Sequence, residues 1–163
     1  MRSTLMVCLA LACAGGAARA ATMPEDAAGN EKPVPMAVRA VGQYQGQMVV
    51  LLEDAAGARR LPIWIGELEA RAIDMRMKKE KAPRPLTHDL LDATLAALGA
   101  RIERVEVTEL RADVFYGRLI LRDQKGVTRT IDARPSDCIA LAVGAGLPIF
   151  VAPSVLRAAA MAP

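Results

Sequence analysis

The chain has little of what most catalytic and binding proteins display openly. Its 163 residues contain one Trp, two Tyr and two Phe. Five rings are too few for a platform that stacks successive bases of a single strand. His88 is the only histidine, which is too little for a zinc site or a serine-type triad. No apolar run is long enough to cross a bilayer as a helix. Of three cysteines, Cys8 and Cys13 lie in the first 20 residues. Those residues have the form of an export signal: Arg2 as the charged start, a small apolar stretch, then Ala18-Arg-Ala20 as an A-x-A cleavage site. Cleavage after Ala20 leaves Cys138 alone, so no internal disulfide can form. Lipidation at Cys13 fits less well, because the Leu of Ala10-Leu-Ala12 falls one place late. Charge of one sign is also missing. The formal charge is +3, and loss of Arg2 and Arg19 leaves 19 basic against 18 acidic side chains. Such a chain has no global field to draw in a polyanion; a local basic patch is the alternative. The expected destination is the periplasm or the medium.

What remains divides simply. Residues 21–36 are rich in Ala, Gly, Pro, Glu and Lys without periodicity, and read as a disordered leader. Residues 37–156 make one domain, and 157–163 an Ala-rich tail. A strand is expected over 36–41. A hairpin follows, 47–53 with 59–65, turned at Asp54-Ala-Ala-Gly57. Gly66 ends it. A helix over 67–78 has Glu67 and Glu69 in its first turn and an apolar face of Leu68, Ala72 and Met75, with Ile73 and Met77 beside it. A second helix, 88–98, is capped by Thr87, closed by Gly99 and striped by Leu91, Leu95 and Leu98. Residues 101–109 alternate as a strand whose phase is ambiguous. A second hairpin, 114–122 with 127–133, turns at Asp123-Gln-Lys-Gly126. A helix at Ser136 and a strand over 147–151 complete the chain. Shifts of 69 and 68 residues place Asp54, Gly57, Ile63 and Glu69 on Asp123, Gly126, Ile131 and Asp137. The expectation is an α+β fold, a mixed sheet with helices packed on it, built from two duplicated β-β-α units.

Two corners concentrate the polar chemistry. Ile131-Asp-Ala-Arg-Pro-Ser-Asp-Cys-Ile-Ala-Leu141 is a strand end, a tight corner and a helix start. Pro135 suits the first helical position, and Ser136 or Asp137 is placed to cap the helix. Free N–H groups and the positive dipole end favour an anion there. The plain alternative is Asp137 as a cap and Arg134 paired with Asp132. The other corner, Pro83-Arg-Pro-Leu-Thr-His-Asp89, holds Arg84 between two prolines and puts His88 and Asp89 at a helix start. Cys138, among Ile139 and Leu141, reads as a small buried residue.

Leu61-Pro-Ile-Trp-Ile-Gly-Glu-Leu-Glu-Ala70, Arg84-Pro-Leu-Thr-His-Asp-Leu90, Val114-Phe-Tyr-Gly-Arg118 and Asp132-Ala-Arg-Pro-Ser-Asp137 resemble, in order and spacing, the motifs of the bifunctional nuclease (BFN) domain family. The resemblance spans about residues 37–156. Cys138 stands where Ala is commoner in the family, and the export signal is a departure in architecture. The resemblance implies an α+β fold and a nuclease acting on DNA and RNA, but brings no settled catalytic set. Residue types supply the roles. His88, Asp89 and Asp132 are the candidates for acid–base chemistry. Arg84 and Arg134 are the candidate phosphate clamps. Glu69, Asp132 and Asp137 are the candidate ligands for Mg²⁺ or Mn²⁺. The competing reading is an exported, non-enzymatic module that binds a protein partner or a small anion. Convergence of the acids with His88 in one cleft favours the enzyme; separate pairing of each acid favours the module.

Overall fold

A computed structural model of the chain describes residues 31–159. The expected export signal and most of the expected leader lie outside the described residues. Eleven elements follow in order: β1 (Val34–Tyr44), β2 (Gln47–Asp54), β3 (Arg60–Ile65), α1 (Glu67–Met77), α2 (Thr87–Ala97), β4 (Ala100–Arg111), β5 (Val114–Asp123), β6 (Thr128–Ala133), α3 (Pro135–Ala145), β7 (Ile149–Val151) and α4 (Pro153–Ala158). The strands form one sheet in the order β3-β2-β1-β7-β4-β5-β6. Every pair is antiparallel except β4–β7, so the sheet is mixed and the fold is α+β. β1 begins at Val34, inside the stretch expected to be a disordered leader, because Val34–Met36 pair with β7.

The hairpins turn where the sequence places them. Asp54 Oδ1 accepts the N–H groups of Ala58 and Arg59, and Asp123 Oδ1 those of Lys125 and Val127. The phase ambiguity of β4 has a physical cause. The register slips between Ile102 and Arg104 and again between Val107 and Glu109. Two bulges therefore let Ile102, Val105, Val107 and Leu110 all face the core from one strand. Each half of the chain runs three antiparallel strands into a helix, yet the duplication is not confirmed. Glu53 pairs with Arg60, whereas Arg122 pairs with Thr128 rather than with Arg129.

The core lies between the sheet and the helices. Val50, Leu52, Leu61 and Ile63 of β2 and β3, and Val105, Val107, Leu119 and Leu121 of β4 and β5, join Ile73 of α1 and Ile139 and Leu141 of α3 in one buried cluster. Gly117 allows close packing: a Cβ there would stand 3.1 Å from Cys138 Sγ and from two backbone oxygens. That contact identifies the α3 side of β5. By alternation Arg118, and Asp132 opposite it on β6, face the other way.

Both expected apolar helix faces need correction. In α1 Ile73, expected beside the face, is buried together with Ala70, whereas Leu68 is 79% exposed. α2 buries no residue fully. Of its stripe only Leu95 packs on the core; Leu91 and Leu98 are exposed. The reason is Arg76. It is largely buried and donates to Asp89 and Asp92, both at 2.8 Å, and to the Ala140 carbonyl at 3.3 Å. The acids of α2 turn inward to this guanidinium, so the helix turns leucines outward.

Candidate active site

The corner at 131–141 folds differently from its expected capping. Arg134 occupies the N-cap of α3, with Pro135 first in the helix. Ser136 and Asp137 are then the second and third helical residues, and neither caps. Asp137 turns to side chains instead. Arg134 grips it with a fork, Nε to Oδ2 at 2.7 Å and Nη2 to Oδ1 at 3.1 Å. The same guanidinium reaches Glu69 of α1, Nη1 to Oε1 at 3.0 Å. His88 Nε2 lies 3.1 Å from Asp137 Oδ1. The expected Arg134–Asp132 pair is not made.

Three helix starts thus meet. Glu69 is the third residue of α1, His88 the second of α2 and Asp137 the third of α3. α1 and α3 follow β3 and β6, the opposite edges of the sheet. A flat seven-stranded sheet would separate its edges by about 29 Å, six spacings of about 4.8 Å. Both helices run inward over the sheet and pack on each other, which closes that distance.

The electrostatics follow from the contacts. Burial pushes the Asp137 carboxyl up, but hydrogen bonds and charge from Arg134 and His88 outweigh it and hold the group below the usual carboxylate range. The bond to Asp137 raises the Arg134 guanidinium further above its ordinary value. The Cys138 thiol, beneath the corner, is pushed up to about 12 by burial and by the charges of Asp137 and Asp132. It is the buried, inert residue that the sequence suggests.

Of the sequence candidates, Glu69, His88, Arg134 and Asp137 come together; the others do not. Asp89 accepts the Leu86 N–H at 3.0 Å and pairs with Arg76. It closes the start of α2, where Leu86 is the N-cap and Thr87 the first helical residue. The expected cap at Thr87 is replaced by this third-position carboxylate, which reaches back to the Leu86 N–H. Arg84 is exposed in the loop before α2. Asp132 lies on the far face of the sheet, opposite Arg118. On that face Arg118 and Arg104 share the buried Glu106, and the Arg104 guanidinium sits 3.9 Å from the Phe150 ring centre. Glu69, Asp132 and Asp137 therefore do not fit a shared divalent ion. Arg134 already pairs with two of them, and the third faces away. Among the described residues, no three His, Cys, Asp or Glu side chains are grouped to hold a metal.

Sequence reasoning missed Arg76 and Asp92. A signal was present: α2 carries Asp89 and Asp92 on one face and no Lys or Arg, so a cationic partner had to come from another element.

Comparison with known proteins adds independent observations. A family model described as bifunctional nuclease domain matches residues 50–163. An uncharacterized protein of Mycobacterium tuberculosis is 44% identical over 129 residues, 76% of this chain and 76% of that protein. Bifunctional nuclease 1 of Oryza sativa subsp. indica is 27% identical over 106 residues, 64% of this chain and 32% of that protein.

Proposed function

The chain belongs to the bifunctional nuclease domain family, and from that premise we propose that it hydrolyses phosphodiester bonds in DNA, RNA or both. The observation that carries the reading is the run of contacts His88–Asp137–Arg134–Glu69 at three helix starts. Hydrolysis needs positive groups for the non-bridging oxygens and a proton carrier for water or the leaving oxygen. Arg134 spends three of its five N–H groups on Asp137 and Glu69, and two remain for phosphate. Glu69 holds Arg134 in place. Asp137 orients His88 through Nε2, which leaves Nδ1 as the nitrogen that takes the proton from water or gives it to the leaving oxygen. His88 is only 12% exposed, so it meets substrate at one edge of the ring. Asp89 acts at a distance: with Arg76 it positions the helix that carries His88. Asp132 has no part in this arrangement.

The test is cleavage of labelled single- and double-stranded DNA and RNA by purified protein freed of contaminating nuclease. A divalent ion entering the cluster competes with Arg134 for Glu69 and Asp137, so Mg²⁺, Mn²⁺ and a chelator are separate arms. His88→Ala is expected to lower cleavage by about 10²-fold or more, the scale of one acid–base contribution. Asp132→Asn is expected to be milder. Thermal melts of each variant control for folding. Equal cleavage by wild type and His88→Ala at matched stability would refute the roles.

The non-enzymatic reading has one observation in its favour. Asp89 pairs with Arg76 and Asp132 lies apart, so only part of the acid set converges with His88. Absence of cleavage under every metal condition would favour that module.

A further inference from the structure

α2 carries its apolar side outward. Its half-buried residues, His88, Asp92 and Leu95, form one stripe that faces the protein. On a helix of 3.6 residues per turn the opposite stripe is Leu90, Ala93 and Ala97, with Leu86 at the N-cap one turn before Leu90. All four are exposed, as are Leu91, Thr94 and Leu98 beside them; Leu90 is 62% and Leu98 74% exposed. No charge interrupts this face. α2 contains no Lys or Arg, and both of its acids pair with Arg76. The Thr94 hydroxyl donates back to the Leu90 carbonyl at 2.7 Å, so its polar atom is satisfied within the helix. A helix this short is marginal without tertiary packing, yet α2 buries none of its residues fully.

We propose that this face is a dimer interface, at which α2 packs antiparallel on α2 of a second copy of the chain. The inference goes beyond the nuclease reading and does not depend on it. Three observations select a second copy as the occupant. First, the face is its own complement. Large residues, Leu86 and Leu90, occupy its N-terminal half, and small ones, Ala93 and Ala97, its C-terminal half. A two-fold axis across an antiparallel pair sets Leu90 against the partner's Ala93 and Leu86 against the partner's Ala97, and the reverse. Large side chains then meet gaps along the whole face. A parallel pair would set leucine on leucine and alanine on alanine. Second, the charges agree. Two uncharged stripes bring no like charges together, and antiparallel helices oppose their dipoles. The last turn of α2 has no basic residue of its own. In the same register Arg84, exposed in the loop before α2, comes beside the partner's Gly99, at the helix end where a cation is favourable. Third, the area fits a weak dimer. Eleven helical residues span roughly 16 Å, so α2 offers less than the ~800 Å² per partner of a standard interface, and the pair belongs to the small, transient class.

A membrane surface is a poorer occupant. A helix that lies in the headgroup region carries Lys and Arg along its polar side, and α2 has neither. The consequence for the site is mechanical. His88 rides on α2, so covering the outer face of the helix steadies the residue on its inner face.

The test is sedimentation equilibrium of the purified protein over a concentration series, with hydrogen exchange at its dilute and concentrated ends. One reversible monomer–dimer equilibrium with a micromolar or weaker Kd is expected, and α2 amides should gain protection as the dimer forms. Leu90→Glu buries an unpaired carboxylate in the pair and is expected to raise Kd by about tenfold or more. Ala97→Leu fills the gap for Leu86 and is expected to weaken the pair although it adds apolar surface. Both positions are exposed in the single chain, so dilute melts of the variants should match wild type. A monomer at every concentration, association that continues past two copies, an unchanged Kd in the folded variants, or tighter association of Ala97→Leu would overturn the interface. So would a monomer that co-sediments with phosphatidylglycerol vesicles, which would give the face to a membrane.

Discussion

Arg76→Met tests how the site is held. Arg76 is 11% exposed on its side chain and lies where α1, α2 and α3 meet. It makes three polar contacts, to Asp89, Asp92 and the Ala140 carbonyl. Gly144 of α3 makes room, since a Cβ there would overlap the guanidinium. Charged hydrogen bonds in a buried setting contribute about 1.5–3 kcal/mol each. Both acids, however, are 48% and 40% exposed, so water recovers much of their loss. A discounted value of about 0.5–1 kcal/mol for each ion pair, with the carbonyl contact added, gives about 2 kcal/mol. Methionine keeps most of the apolar stem and isolates the polar part, whereas Arg76→Ala also loses packing. For a domain of this size about 2 kcal/mol lowers Tm by roughly 8 °C. The loss is expected to be local first. α2 has no fully buried residue, so Arg76, Leu95 and the His88–Asp137 contact are its main ties. Hydrogen exchange should show α2 amides losing protection in Arg76→Met before the strands do. Cleavage should fall as well, because His88 rides on that helix. A variant that melts within about 1 °C of wild type, with α2 protection unchanged, would show that Arg76 and its two acids do not hold the helix.

Three further outcomes are expected. The Asp137 carboxyl is depressed in the folded state, so its stabilisation is full above the unfolded value near 3.9 and is lost as pH falls through the lower folded value. The stability gap between wild type and Asp137→Asn should therefore close on acidification, and a gap that widens at low pH would reverse the assignment. Cys138, buried and pushed up to about 12, should react with a thiol reagent only at the rate of unfolding; stoichiometric labelling of the native protein would contradict its burial. Export predicts that protein from fractionated cells begins at Ala21, and intact Met1 in the cytoplasm would end that proposal.

The hairpins, their Asp–Gly turns and all three long helices were legible because each has local punctuation. The burial of the helices was not. Periodicity assigns apolar residues to the core, but Asp89 and Asp92 outbid Leu91 and Leu98 for the inner face of α2, because a buried cation is more costly to leave unpaired than leucines are to expose. The phase of β4 was hidden because two bulges alter the alternation within one strand. In the site, Glu69, His88, Arg134 and Asp137 were visible as acids, an imidazole and a cation at helix starts. Asp132 lies apart from them for a reason that sequence distance conceals. It lies two residues from Arg134, yet the strand still alternates at Asp132 and sends it to the opposite face.

The near-neutral charge of the chain and its proposed anionic substrate are reconciled at the same helix starts. Each α-helix carries roughly half a positive charge at its first turn, from N–H groups without partners. Glu69 and Asp137 occupy the first turns of α1 and α3, and both are held by Arg134. His88 adds a group that becomes cationic when protonated. With His88 neutral the side chains of the cluster sum to −1, one arginine against two carboxylates, so the positive potential for a phosphate has to come from the helix starts and from a proton on His88. The site brings dipole ends and one arginine to one place on the surface, within the range over which salt screens exposed charge. Arg134 is the side chain on which this depends: it holds both acids, and at 65% exposure it is also the member of the cluster most open to solvent. Arg134→Gln removes its charge and leaves Glu69 and Asp137 as two unneutralised carboxylates. That variant should bind nucleic acid more weakly than wild type in low salt, and the difference should shrink as salt rises. A defect in binding that is independent of salt would mean that Arg134 serves the fold and not the phosphate.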